Sequence, residues 1–168
     1  RITPKSHAAM PAPAGASYAT TGTVTAWTGT NTTAGTDAGS ATLTIDNLSP
    51  ANVTGASASP GNAQVTVSWT NPVDSDFANL VVLRKATTTI TGVPSEGTSP
   101  ALDTAVGDGT VRYISSTSPF TDTTGLTNGT LYFYRIFAKD TNGNYSATGV
   151  EVSATPILIT TTLGNGTN

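Results

Sequence analysis

The sequence predicts an all-β protein built around a β-sandwich. Three observations carry this expectation. Thr fills about a fifth of the 168 positions, and Gly and Pro are frequent; Thr favours strands, while Gly and Pro favour turns. Short runs of alternating apolar and polar residues recur with turn residues between them, which is the pattern of sandwich strands. No long segment keeps a capped helical period of apolar residues.

The elements follow in chain order. Residues 1–17, RITPKSHAAMPAPAGAS, are rich in Pro and Ala and lack periodicity, so they read as an arm or linker. TTGTVTAWTG (20–29) and SATLTIDN (40–47) are strand candidates joined by the turn-like TNTTAGTDAG (30–39). Val24 and Ala26 alternate with Thr in the first, Leu43 and Ile45 in the second. Two strands alone rarely hold together in water, so residues 18–49 read as part of a β unit. LSPANV (48–53) reads as a linker into a fresh domain over 50–156. The strand candidates there are QVTVSWTNP (64–72), NLVVLRK (79–85), TVRYIS (110–115), PFTDT (119–123), LYFYRIFAKD (131–140) and ATGVEVSATP (147–156). Residues 86–109 are expected to form a surface loop or an extra hairpin. PILITTTL (156–163) reads as a final strand or the start of a following module, and a polar tail closes the sequence, so 157–168 is a C-terminal strand or linker.

Several of these pieces have a familiar arrangement. QVTVSWTNP places Trp69 after alternating Val65 and Val67. NPVDSDFANLVVLRK (71–85) joins a loop to the next strand. GLTNGTLYFYRIFAKDTNGNYS (125–146) contains Leu-x-x-Gly-Thr-x-Tyr running into a strand, and VEVSATP (150–156) closes the run. In this order and spacing, residues 50–156 resemble a bacterial fibronectin type III domain, over about two thirds of the chain. The resemblance implies an Ig-like sandwich with Trp69 in the core. It also implies that Tyr132 takes the tyrosine-corner position, its hydroxyl tied to backbone near the turn. The segment 86–109 departs from the compact form of that fold by being longer. SATLTIDNLSP (40–50) makes residues 18–48 resemble the last strands of a bacterial Ig-like repeat whose first half is missing. The chain then reads as cut from a longer tandem array, or as completed by a strand of another subunit.

Chemistry is sparse. Net charge is −3 and pI about 4.8. The seven Lys and Arg are scattered, so no nucleic-acid partner is expected. No apolar run approaches the roughly 18 residues of a membrane span. Without Cys, disulfide staples and zinc–thiolate sites are excluded. His7, the only histidine, lies in the arm, where nothing would hold an imidazole for catalysis. Most Asp fall in turns, where they bond their own backbone. GDG (107–109) is read as a turn. Lys85 and Lys139 lie on strands and carry no sign of an isopeptide partner. Asn-x-Ser/Thr triplets begin at Asn31, Asn47, Asn52, Asn128, Asn144 and Asn165 and permit glycosylation.

One polar group is a metal candidate. In the fold implied by the resemblance, the loop with Asp74 and Asp76 lies at the same end as the loop with Asp140, Asn142 and Asn144. Calcium takes six to eight such oxygens. The competing reading is that these side chains cap their own loops; no other cofactor is expected.

The last feature is an apolar second face. If Leu80, Val82, Tyr132, Tyr134, Ile136 and Ala138 point into the core, alternation turns Val81, Leu83, Leu131, Phe133 and Phe137 the other way. A solvated face would be mostly polar, so this one should be an interface. The cover is expected from the 86–109 segment through Ile90, Val93 and Val106, from the N-terminal strands, or from a second copy, with Arg84 and Arg135 tempering any exposure. The expected function is a non-catalytic, secreted or cell-surface structural and adhesion module that joins copies of itself in a filament or layer, or joins neighbouring domains of a longer chain. The alternative is an accessory spacer or carbohydrate-binding module of a secreted enzyme, with Trp27, Tyr113 and Tyr145 as the aromatics available to sugars.

Overall fold

The computed structural model describes residues 18–22, 41–46 and 48–158. The described residues are all-β, and the chain divides between Leu48 and Ser49 into two compact units. In the first unit β1 (Tyr18–Gly22) runs antiparallel to β2 (Ala41–Ile45), in register from Tyr18↔Ile45 to Gly22↔Ala41. Val24, Ala26, Trp27, the arm with His7 and residues 159–168 lie outside the described residues.

The second unit is the two-sheet sandwich that the resemblance implied. One sheet has the order β3-β4-β8, from β3 (Thr54–Gly61), β4 (Gln64–Thr70) and β8 (Phe120–Asp122). The other has the order β10-β9-β5-β7-β6, from β5 (Phe77–Ala86), β6 (Ala105–Val106), β7 (Gly109–Ile114), β9 (Tyr132–Asp140) and β10 (Val150–Ala154). Every pairing is antiparallel.

Alternation builds the space between the sheets. Val65, Val67 and Trp69 of β4 are buried there. Their neighbours turn outward, where Thr66 pairs hydroxyls with Thr121 at 3.1 Å and Ser68 with Ser57 at 2.9 Å. From the facing sheet come Leu80, Val82, Tyr132, Tyr134, Ile136 and Ala138, all buried in the same cluster. The Tyr132 hydroxyl accepts the Thr127 N–H at 3.1 Å, so this tyrosine turns the corner before β9 as expected.

One strand was not legible. Residues 54–63 carry no clear strand pattern, yet β3 occupies TGASASPG. Its inward residues, Ala56 and Ala58, are small and only partly buried. Such side chains give a weak period-two signal, and β4 supplies the template through Ser57↔Ser68 to Gly61↔Gln64.

Candidate functional site

The end of the sandwich carrying the β4–β5 and β9–β10 loops was the expected metal locus. Thr141 N–H bonds to the Asp76 carbonyl at 2.9 Å, which ties the two loops together. Asp140 is buried and works within its own loop. Its Oδ1 accepts the N–H groups of Asn142 (2.9 Å) and Asn144 (2.8 Å), and its Oδ2 accepts Asn144 Nδ2 at 2.7 Å. Asp74 turns away to accept the Ala51 N–H at 3.0 Å. Asp76 and Asp140 do bring carboxylate oxygens within 4.8 Å of each other. The described bonds therefore show a self-capping Asx loop, with one carboxylate pair alongside it and Asp74 directed elsewhere.

The second face has a cover, and it belongs to the same chain. Val81, Leu83, Val111 and Phe137 of the five-stranded sheet form a second buried cluster with Ile90 and Tyr145, flanked by Val106, Ile114 and Phe133. Val81, Leu83 and Phe137, expected at an interface, are thus internal, because residues 87–108 fold back over them. Phe133 is half-buried and Leu131 is 37% exposed at the rim. Of the expected covering residues, Ile90 and Val106 turn inward, while Val93 is 49% exposed.

Polar clamps hold this cover. The Ile90 peptide is gripped on both sides: its N–H donates to Glu151 Oε2 at 2.8 Å, and its carbonyl accepts Arg135 Nη1 at 2.6 Å. Glu151 and Arg135 are cross-strand partners on β10 and β9, which sets them side by side. Arg135 also lies 5.3 Å over the Phe137 ring. Further along, Glu96 accepts the Tyr145 N–H at 2.9 Å, the Tyr145 hydroxyl donates to the Thr98 carbonyl at 3.0 Å, and Gly97 N–H bonds to the Gly143 carbonyl at 2.9 Å. Burial, then the Glu96 charge, pushes the Tyr145 phenol up to about 12.

The GDG turn is the knot of the cover. Asp108 accepts Lys85 Nζ at 2.7 Å, the Thr91 N–H and hydroxyl at 2.9 Å each, and the Gly92 N–H at 2.7 Å. The Lys85 ammonium first, then the Gly92 N–H, hold its carboxyl well below the usual carboxylate range. Backbones touch here: a Cβ on Gly92 would sit 2.1 Å from the Val106 carbonyl oxygen, and one on Gly107 2.6 Å from Gly92 Cα. Lys85 does meet a carboxylate, but both partners are roughly 30% exposed. An ionised, solvated pair is a salt bridge and not a route to an amide. Lys139 donates to Ser99 Oγ at 2.6 Å.

A buried ionic cluster escaped the sequence reading. Arg84 was placed on the outer face, but Leu80, Val82 and Arg84 share one side of β5, so it points between the sheets. Its Nη1 reaches Asp122 Oδ2 at 2.7 Å across to β8, and the Thr124 carbonyl at 2.7 Å. Tyr134, the Cα partner of Arg84, donates its hydroxyl to the same Asp122 oxygen at 3.2 Å. Burial, then the Asp122 charge, raises the Tyr134 phenol far above its ordinary value. The alternation of β5 and β9 held the signal for this cluster.

Of the aromatics available to sugars, Trp27 lies outside the described residues, and Tyr113 and Tyr145 do not form an exposed platform. Tyr145 is buried; Tyr113 is half-buried, stacked on Phe120 at 4.5 Å and edge-on to Trp69 at 5.8 Å. A depression of about 500 Å³ opens on the cover, lined by residues of 93–107, with no charged side chain in its wall.

The second unit is an antiparallel two-sheet β-sandwich with residues 87–108 lying over the outer face of its larger sheet. No protein-family model matches the chain, and no curated protein matches it. Among solved structures it is similar to a β-1,2-glucanase from Parabacteroides distasonis (17% identity, TM-score 0.44, 67% of this chain and 13% of that one). It is similar to the Clostridium perfringens spore cortex lytic enzyme SleM (17%, 0.47, 72% and 36%). It is also similar to a Fn3-like protein from Clostridium thermocellum (21%, 0.42, 67% and 99%). The chain thus spans a small part of the two enzymes and nearly all of the Fn3-like protein. At these scores the likenesses say nothing of activity.

Proposed function

We propose that this chain is a non-catalytic structural module of a secreted or cell-surface protein, acting as a rigid spacer between neighbouring domains. One observation carries the reading: seven of the eight carboxylates between residues 49 and 158 are spent on the sandwich's own architecture. Asp74, Glu96, Asp108, Asp140 and Glu151 each accept backbone N–H groups, while Asp122 is locked between Arg84 and Tyr134 and Asp103 meets Arg112. General acid–base chemistry needs such groups converging on a cleft, and the depression on the cover has none in its wall. Sedimentation of the full chain at high concentration, with electron microscopy, tests the spacer role. A persistent monomer is expected, and ordered polymers would overturn it. Turnover of any polysaccharide or peptide substrate by the purified chain would overturn the non-catalytic part.

A second reading is self-assembly through the first unit. Among the described residues its sheet consists of β1 and β2 only. A two-stranded sheet gains stability from further strands, and a strand from another copy is one source. Polymers in the same micrographs would establish this reading, and their loss on deleting 1–48 would locate it.

A further inference from the structure

The two buried clusters of the sandwich do not share the cover. The cluster between the sheets draws on β4, β5, β9 and β10, with Val53 and Leu126 beside them, and includes no residue of 87–108. Ile90 and Val106 contribute only to the cluster on the outer face. The cover's backbone is largely irregular; its one strand, β6, is two residues long. It is tied to the rest of the sandwich by the Ile90 peptide between Glu151 and Arg135, Tyr145 with Glu96 and Thr98, Gly97 on Gly143, Asp108 on Lys85, the Thr87 N–H on the Leu131 carbonyl, and at its far end by the β6–β7 pairing with the Asp103 and Thr104 bonds to Val111, while the bonds from Asp108 to Thr91 and Gly92 brace the cover internally. Parts of a protein with few apolar anchors and many exposed backbone bonds open at lower free energy than its core.

We propose that residues 87–108 form a cover that opens as a unit while the two-sheet core stays folded, with the Glu151–Ile90 and Glu96–Tyr145 carboxylate-to-peptide bonds as latches. Opening bares the faces of Val81, Leu83, Val111 and Phe137, converting a closed module into one with an apolar sheet face. The charged groups at the latches are matched: Lys85 faces Asp108, Arg135 stands beside Glu151, and Lys139 lies 5.6 Å over the ring of Tyr145, whose N–H Glu96 holds. The proposal holds whether the module is a spacer or an assembling unit, since it concerns only the chain's own sandwich.

Native-state hydrogen exchange of the full chain at neutral pH, read by mass spectrometry across a denaturant series, tests it. Peptides over 88–98 should exchange through an opening that depends weakly on denaturant, while 65–69 and 132–138 exchange only through a strongly dependent one. Val67→Ala separates the two steps. Val67 lies in the inner cluster, so its loss should speed core exchange by about tenfold or more and leave 88–98 unchanged. Glu151→Ala removes a latch and should speed exchange at 88–92 by roughly tenfold. Glu151→Gln, which keeps an oxygen facing Ile90, should give a smaller rise. Equal acceleration of both regions by Val67→Ala would show that the cover opens only with the whole domain, and that would overturn the proposal. An unchanged 88–92 in Glu151→Ala would overturn the latch.

Discussion

The two apolar layers on either side of the β5–β9 ribbon are built by different rules. The inner layer lies between two sheets, and nearly every contributor comes from a strand whose period-two pattern aims it there. The outer layer lies between a sheet and an irregular segment, and that segment supplies only Ile90 and the partly buried Val106. Side-chain area closes the inner layer. In the outer layer, ionic and polar bonds to the backbone do much of the holding. A sheet face can thus be buried by a loop with few apolar residues, provided that its peptide groups find strong partners.

The sharpest break of the inner layer is at its ionic end. Asp122→Ala leaves Arg84, whose side chain is 16% exposed, without its carboxylate, and should cost about 3–5 kcal/mol in denaturant unfolding. Next comes a matched pair of truncations. Leu80→Ala should lose about 2–5 kcal/mol. Ile90→Ala should lose less, because its cost cannot exceed the free energy of opening the cover. For the same reason Ile90→Ala combined with Glu151→Ala should lose less than the sum of the two. Full additivity of that pair would erase the distinction between the layers.

Acid should sharpen the contrast further. The folded-state carboxyl of Asp108 is depressed. Its contribution is therefore complete above the ordinary carboxylate pKa of about 4 and is lost as pH falls below that. Protection at Thr91 and Gly92, corrected for intrinsic exchange rates, should fade below about pH 4 while residues 65–69 remain protected. The smallest expected effect is at the loop end. Since Asp140 already accepts three internal bonds, millimolar calcium should leave the melting temperature unchanged. A rise that chelation reverses would give the Asp76–Asp140 pair a cation.

Legibility in the sequence followed the same division. Val65, Val67 and Trp69, or Tyr132, Tyr134 and Ile136, announce their face by alternation. The strand at 54–61 does not, because Ala and Ser barely differ in what burial gives them. The cover was legible as a length anomaly, and Ile90 and Val106 as its apolar residues. Its latches were not, since a Glu that will hold a peptide N–H 61 residues away looks like any surface Glu. Arg84 was misplaced by its charge, although its position in the alternation was correct evidence.

The closed loop around Asp140 has a consequence for production. Asn144 begins an Asn-x-Ser triplet, but its side chain is buried and its Nδ2 is bonded to Asp140. In a host that attaches glycans to nascent chains, the transferase and the folded loop compete for one amide nitrogen. A sugar that arrives first occupies the space where Asp140 must close, so yield in such a host depends on the loop forming before the enzyme reaches it.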